Sequence, residues 1–362
     1  MGFKKCFFFI VGFTIIGLLA IAGFNYRMDP AGMFRSDQYE AGIADIIVSK
    51  QNVANLSDYD ERLVQKYILE KGAQKLDVLV LGSSRTMQIH GYLFPGQSFF
   101  NNSVSSAALE DDIAIFDMYK ERNLLPKKVI LGLDPWLLNG NNELHAWETL
   151  RDQYYAGASY LGIDIKNEKG SASANTRQYR KYMELISMPY LKASMDSWKK
   201  RSKGMYYPTQ ETDLPESIRF ADGALGYPAS KRNISVEDAH KAAMEFNKNE
   251  LGKFLGNFDK LDERNMDKFV RFVEYMQNQG IEVVFFLSPY HPLVYENIVN
   301  DPKYAAVLKT ENYFREFAKE HNIVVMGDYD PTASNLSDDG FYDGMHPKTE
   351  SINKIFAAQR AR

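Results

Sequence analysis

Two short stretches of the chain hold residue types that work together as a nucleophile and its base. Gly82-Ser83-Ser84-Arg85 follows an apolar run directly, and Phe341-Tyr342-Asp343-Gly344-Met345-His346-Pro347 lies near the C-terminus. A serine hydroxyl attacks poorly until a base takes its proton, and an imidazole base needs a carboxylate to hold its tautomer and orientation. Asp343 and His346 stand in one polar loop with two residues between them, close enough to reach one another. Ser84 is then the candidate nucleophile, His346 its base and Asp343 the orienting carboxylate, and the chemistry is acyl transfer through an acyl-serine. A serine at a strand-to-helix turn is exposed and close to helix N–H groups that stabilise an oxyanion. Gly82 suits the tight turn, and Pro347 suits the first turn of a helix beginning there. Ser288-Pro289-Tyr290-His291-Pro292 follows another apolar run, so His291 is a candidate substrate contact, with a purely structural turn as the other reading.

The elements that must position these residues alternate along the chain. Residues 77–81, 98–100, 128–133, 281–287 and 323–326 read as short buried strands. Between them fall helices at about 59–71, 107–122 and 304–321, another after Pro347, and a stripe of Met266, Phe269, Val270, Val273 and Met276 that Gly280 ends. This alternation predicts an α/β fold, a three-layer sandwich with a central parallel sheet. Ligands of such sheets bind at the carboxyl ends of the strands, and Ser84, Asp134, Ser288 and Asp328 each come just after an expected strand. Residues 140–262 break the rhythm and read as a largely helical insertion, with a helix at about 178–200 and a Gly/Pro/Ser-rich stretch at 204–235. Residues 219–223 (RFADG) and the tyrosines at 154, 155, 206 and 207 are candidates for lining a sugar groove. No internal repeat or low-complexity tract interrupts the chain.

The order Ser…Asp…His, a strand-end serine and a C-terminal DxxHP loop resemble the SGNH (GDSL-like) hydrolase superfamily from about Leu76 onward, outside the insertion. Ser83 stands where that family usually has Asp. Asn101-Asn102-Ser103-Val104-Ser105-Ser106-Ala107 resembles its second block, with Ser106 in the place of a glycine whose N–H helps bind the oxyanion. Gly132-Leu133-Asp134-Pro135 resembles its third block, but Asp134 occupies the place of an oxyanion-donating Asn. The resemblance then implies that Asp134 is turned away, or that Asn139 or Arg85 supplies the missing donor. The α/β-hydrolase elbow G-x-S-x-G is absent.

An N-terminal apolar helix, Asp29-Pro30, the GSSR block and the GLDPW block are more closely similar to the membrane-anchored branch that acylates cell-surface polymers, the DltD-like and exopolysaccharide acetylation proteins. That similarity implies a flavodoxin-like fold and an extracytoplasmic serine-dependent O-acyltransferase. It further implies a multi-spanning membrane-bound O-acyltransferase as partner and a surface polysaccharide or wall polymer as acceptor. A carbohydrate O-acetylesterase with the same residues, and a non-catalytic scaffold, are the competing expectations.

Composition narrows the setting. Residues 6–24 contain no charge and follow Lys4 and Lys5. Nineteen helical residues span roughly 28 Å, close to the hydrocarbon core of a bilayer. The lysines place the N-terminus in the cytoplasm and the body outside. Ala20-Ile21-Ala22 would also suit signal cleavage, and both readings export the body. The expected division is a tail at 1–5, an anchor at 6–24, a stalk and leading helix at 25–75, and a catalytic domain at 76–362. The net charge of −4 comes without a basic stripe, which argues against nucleic acid. Cys6 is the only cysteine, so no internal disulfide or cysteine metal site forms. His90, His145, His240 and His321 lack ligand spacing, Asp338 and Asp339 read as solvated, and no cofactor or metal is expected.

Overall fold

A computed structural model describes residues 3–28, 38–56, 59–165, 182–200 and 206–360. In chain order the longer helices are α1 (Phe3–Met28), α2 (Gln38–Val48), α3 (Glu61–Gly72), α4 (Leu109–Glu121), α5 (Arg151–Leu161), α6 (Met188–Lys200), α7 (Val236–Asn249), α8 (Glu263–Asn278), α9 (Pro292–Asn300), α10 (Ala305–Glu320) and α11 (Thr349–Arg360). The strands are β1 (Asn52–Ala54), β2 (Val78–Leu81), β3 (Phe99–Asn101), β4 (Lys128–Gly132), β5 (Tyr207–Thr209), β6 (Ile218–Arg219), β7 (Leu225–Gly226), β8 (Glu282–Leu287) and β9 (Val324–Gly327).

Five strands form a parallel sheet in the order β3-β2-β4-β8-β9. Alternate side chains of each strand feed two cores, as the pleat requires. Leu79, Leu81, Val129, Leu131, Val283 and Phe285 pack on the face covered by α4, α8 and α10. Val78, Val80, Ile130, Val284 and Phe286 pack on the face covered by α11. Numbered within the sheet, the order is 2-1-3-4-5, which reverses between β2 and β4. That reversal is where open α/β sheets bind ligands, because the loops leaving the two strands part in opposite directions there. Ser84 follows β2 and Asp134 follows β4.

Three expectations change. The stretch before residue 76 is no stalk from residue 38 onward: Ile43, Ala44 and Ile47 of α2 join the main core. There β1 pairs with β5 and β6, so the leading segment and the insertion build one small antiparallel sheet. No α-helix follows Ser84; residues 84–88 form a turn and the next helical residues are the single 3-10 turn Gly91–Leu93. The helix expected from 178 appears as α6 with a short helical turn before it. Its first residues, 178–181, lie outside the described residues, as does Asp29-Pro30.

Helix α4 shows how the body is tied together. Arg62 of α3 grips Asp111 in its first turn with two bonds of 2.7 and 2.9 Å, and Asp111 also accepts the Ala108 N–H. Its neighbour Asp112 is buried with neither carboxylate oxygen hydrogen-bonded among the described residues. Burial, then the nearby charges of Asp111 and Asp134, push the Asp112 carboxyl well above the ordinary range. The folded state therefore holds this proton more tightly than the unfolded chain, so its contribution is favourable below the ordinary carboxyl value and fades as pH rises. Asp112→Asn is expected to stabilise the protein at neutral pH by roughly 1–3 kcal/mol. The gain should vanish in acid, read by melting curves at the two pH values; equal curves at neutral pH would contradict it.

Candidate active site

The turn after β2 is built around two glycines. Gly82 has φ 137°, a region closed to most residues with a side chain. A Cβ there would also lie 3.0 Å from the Gly132 Cα, where β2 and β4 run side by side. Ser83 closes the turn: its Oγ accepts the Arg85 N–H and its carbonyl accepts from Thr86. The cap-like role thus falls to Ser83, while Ser84 is left half-exposed.

Ser84 Oγ lies 2.9 Å from His346 Nε2, and His346 Nδ1 lies 2.8 Å from Asp343 Oδ1. A carboxylate only accepts, so Nδ1 carries the proton and Nε2 turns its lone pair toward the serine hydroxyl. Asp343 also accepts the backbone N–H groups of Met345 and His346, and Tyr342 N–H donates to the His346 carbonyl. The loop is therefore held by its own aspartate as much as by its neighbours. The arrangement can deprotonate a serine and hold the resulting imidazolium beside a carboxylate.

The insertion completes this wall. Lys231 Nζ lies 2.9 Å from Asp343 Oδ2 and 4.2 Å from the Tyr227 ring centre. The Tyr227 ring stands 6.1 Å from that of His346. Burial pushes the Asp343 carboxyl up, but His346 and then Lys231 more than offset it, leaving the group far below the ordinary carboxylate range. Neither Lys231 nor Tyr227 was nominated from the sequence, because a lysine in a Gly/Pro/Ser-rich stretch carries no local mark of its partner. Lys231→Met removes the cation that holds Asp343 Oδ2 in place beside His346 and should lower activity roughly two- to fivefold, as for an ion pair worth under about 1 kcal/mol, with Lys231→Arg restoring it. Activity equal to the parent's would leave Lys231 no part in positioning Asp343.

The expected oxyanion donors fall into two groups. Ser106 has φ 49°, the left-handed region that glycine enters freely, which is the physical reason a glycine would suit that place. Its loop is tied to the nucleophile turn by Val104 N–H donating to the Gly82 carbonyl at 3.0 Å. Among the described residues neither the Ser84 nor the Ser106 N–H makes a hydrogen bond. Arg85 and Asn139 do not fill the missing place. Arg85 is buried, donating to Asp134 at 2.7 Å, to the Met345 carbonyl at 3.1 Å and to the Ser288 carbonyl, with its guanidinium 3.9 Å from the Tyr290 ring centre. Asn139 is buried too, and its Oδ1 accepts the Asn141 N–H. It lines a cavity of about 340 Å³ with Trp147, Glu110 and Lys268, whose lining includes none of Ser84, Asp343 and His346. Asp134, in the place of an oxyanion-donating Asn, is paired with Arg85, so its charge is compensated.

His291 is fully buried and does not face a substrate. Its Nδ1 accepts the Leu293 N–H and caps α9, and its own N–H donates to the Gly344 carbonyl. Burial holds this imidazole below its ordinary value. His240, His291 and Asp338 bring three possible ligand atoms within 4.8 Å of one another. With Nδ1 accepting from Leu293, however, the proton of the neutral ring sits on Nε2, 3.6 Å from Asp338. That nitrogen has no lone pair to offer a cation, so the group reads as a hydrogen-bonded cluster, with His240 Nδ1 2.7 Å from Asp338, rather than a metal centre.

Arg219 is likewise buried, donating to the Ser103 carbonyl, and Asp222 accepts the Gly91 N–H. The 219–223 stretch therefore braces the loops on either side of β3 through Arg219 and Asp222, while Phe220, Ala221 and Asp222 stay partly exposed. Tyr154 is fully buried, and Tyr206 packs edge-on against Tyr39 at 4.8 Å; of the four tyrosines only Tyr207 is exposed. No protein-family model matches this chain, and no curated protein matches it.

Proposed function

We propose that this protein is an extracytoplasmic, serine-dependent O-acyltransferase of SGNH type that modifies a surface polysaccharide or wall polymer. The observation that carries the reading is the hydrogen-bonded series Ser84–His346–Asp343 at the carboxyl edge of the parallel sheet, beside the strand-order reversal. In the first half-reaction Ser84 Oγ attacks the donor's acyl carbonyl while His346 Nε2 takes its proton. The donor's leaving group departs with that proton, and the Ser84 and Ser106 N–H groups face the charge on the carbonyl oxygen. In the second, His346 takes a proton from an acceptor hydroxyl, which attacks the acyl-serine, and the proton passes to Ser84 Oγ. Among the described residues one helix is long and apolar enough to cross a membrane. With Lys4 and Lys5 at its start, this supports an anchored body outside the cell, and in this reading a multi-spanning O-acyltransferase brings the acyl group to it.

The test is to give the full-length chain p-nitrophenyl acetate, with and without an acceptor oligosaccharide, and to follow Ser84 by mass spectrometry. An acetyl adduct on Ser84 that is lost faster with acceptor supports transfer. An adduct lost equally fast in water alone makes the protein an esterase, and no adduct on the folded chain makes it a scaffold.

A further inference from the structure

We infer that α6 lies in the outer headgroup layer of the membrane, with its apolar face against lipid, and so sets the height and tilt of the body above the bilayer. The inference rests on α1 crossing the membrane and is independent of the chemistry at Ser84. Helix α6 packs on α1. The contact falls at the last turns of α1, where the side chains become partly covered, and Asn25 there is buried with its Nδ2 donating to the Leu185 carbonyl at 2.9 Å. The first residues of α6 are thus fixed at the end of the membrane span.

Met188, Leu191, Met195 and Trp198 stand at i, i+3, i+7 and i+10, one stripe of a helix. A surface helix normally turns such a stripe to the core. Here Tyr190 and Ser194, along one edge of the stripe, are buried, while Met188, Met195 and Trp198 are exposed. Met183 and Ile186, just before the helix, are exposed as well and extend the patch. Lys192 is exposed and borders the stripe. An exposed apolar stripe with an indole and a bordering lysine, held at the end of a span, matches the composition of helices that lie in a lipid interface. Its continuity with the lipid-facing surface of α1 makes lipid the occupant.

The chain carries its own probe. Trp198 is 61% exposed, whereas Trp136 and Trp147 are 1% and 5% exposed in the body. The full-length chain in mixed neutral and anionic vesicles, with some lipids brominated in their acyl chains, should lose most of its Trp198 emission. Trp198→Phe should leave an emission that bromine barely changes. Met188→Cys in a Cys6→Ser chain, carrying a nitroxide, should collide with membrane-dissolved oxygen more often than with an aqueous nickel complex. Trp198 quenched by acrylamide from the water and untouched by bromine would overturn the inference, as would a nitroxide favouring nickel. The same result followed by protection when a membrane protein is added would make α6 a protein-docking face instead.

Discussion

Ser84→Ala is expected to abolish acyl transfer, a fall of roughly 10⁴-fold or more, while the protein folds as before. The half-exposed hydroxyl meets His346 at 2.9 Å and carries none of the contacts that close its turn, which come from Gly82, Ser83 and Thr86. Removing one oxygen leaves no cavity in a core. His346→Gln should behave alike, and the double substitution should be little worse than either, because a nucleophile and its base act as one unit. Cells carrying only the alanine variant with unchanged polymer acylation would sink the catalytic reading.

Asp134→Ala should instead cost the fold, about 3–5 kcal/mol, because it leaves the Arg85 guanidinium buried without its counter-charge. Arg85 donates to groups leaving β4 and β8 and to the carbonyl before His346, so one cation ties together the loops that carry the site. Activity should fall with stability, although neither residue touches a substrate. Asp134→Leu combined with Arg85→Met removes both charges and should recover much of the lost stability, since apolar pairs of similar volume often replace buried ion pairs without loss. A single Asp134→Ala variant that melts like the parent would show that the pair contributes little.

Much of the fold was legible because it is written in local periodicity. Strands β2, β4 and β8 fall within a residue or two of the apolar runs that predict them, and α4 and α10 within two residues of their expected ranges. The antiparallel sheet of β1, β5, β6 and β7 was not legible. Its strands are two or three residues long and come from segments more than 150 positions apart, too short for any alternation to register. The turn after Ser84 was misjudged for a related reason. A serine-rich stretch after a strand suits a helix start, but Gln88 donating to the Leu225 carbonyl and the Asn101 bonds to Thr86 and Ile89 hold residues 84–89 in another path.

By itself the sequence determined the element types, the parallel sheet, the apolar N-terminal helix and the three residues whose chemistry is complementary, since each depends on residue identity and short spacing. Only the tertiary structure decided the partners of charged and polar side chains. Arg85 could have faced an oxyanion or Asp134, and His291 a substrate or the Leu293 N–H. Lys231 could have faced solvent or Asp343. Each outcome turns on which loops meet at the sheet's carboxyl edge, because a buried charge must find whatever counter-charge the packing brings within reach.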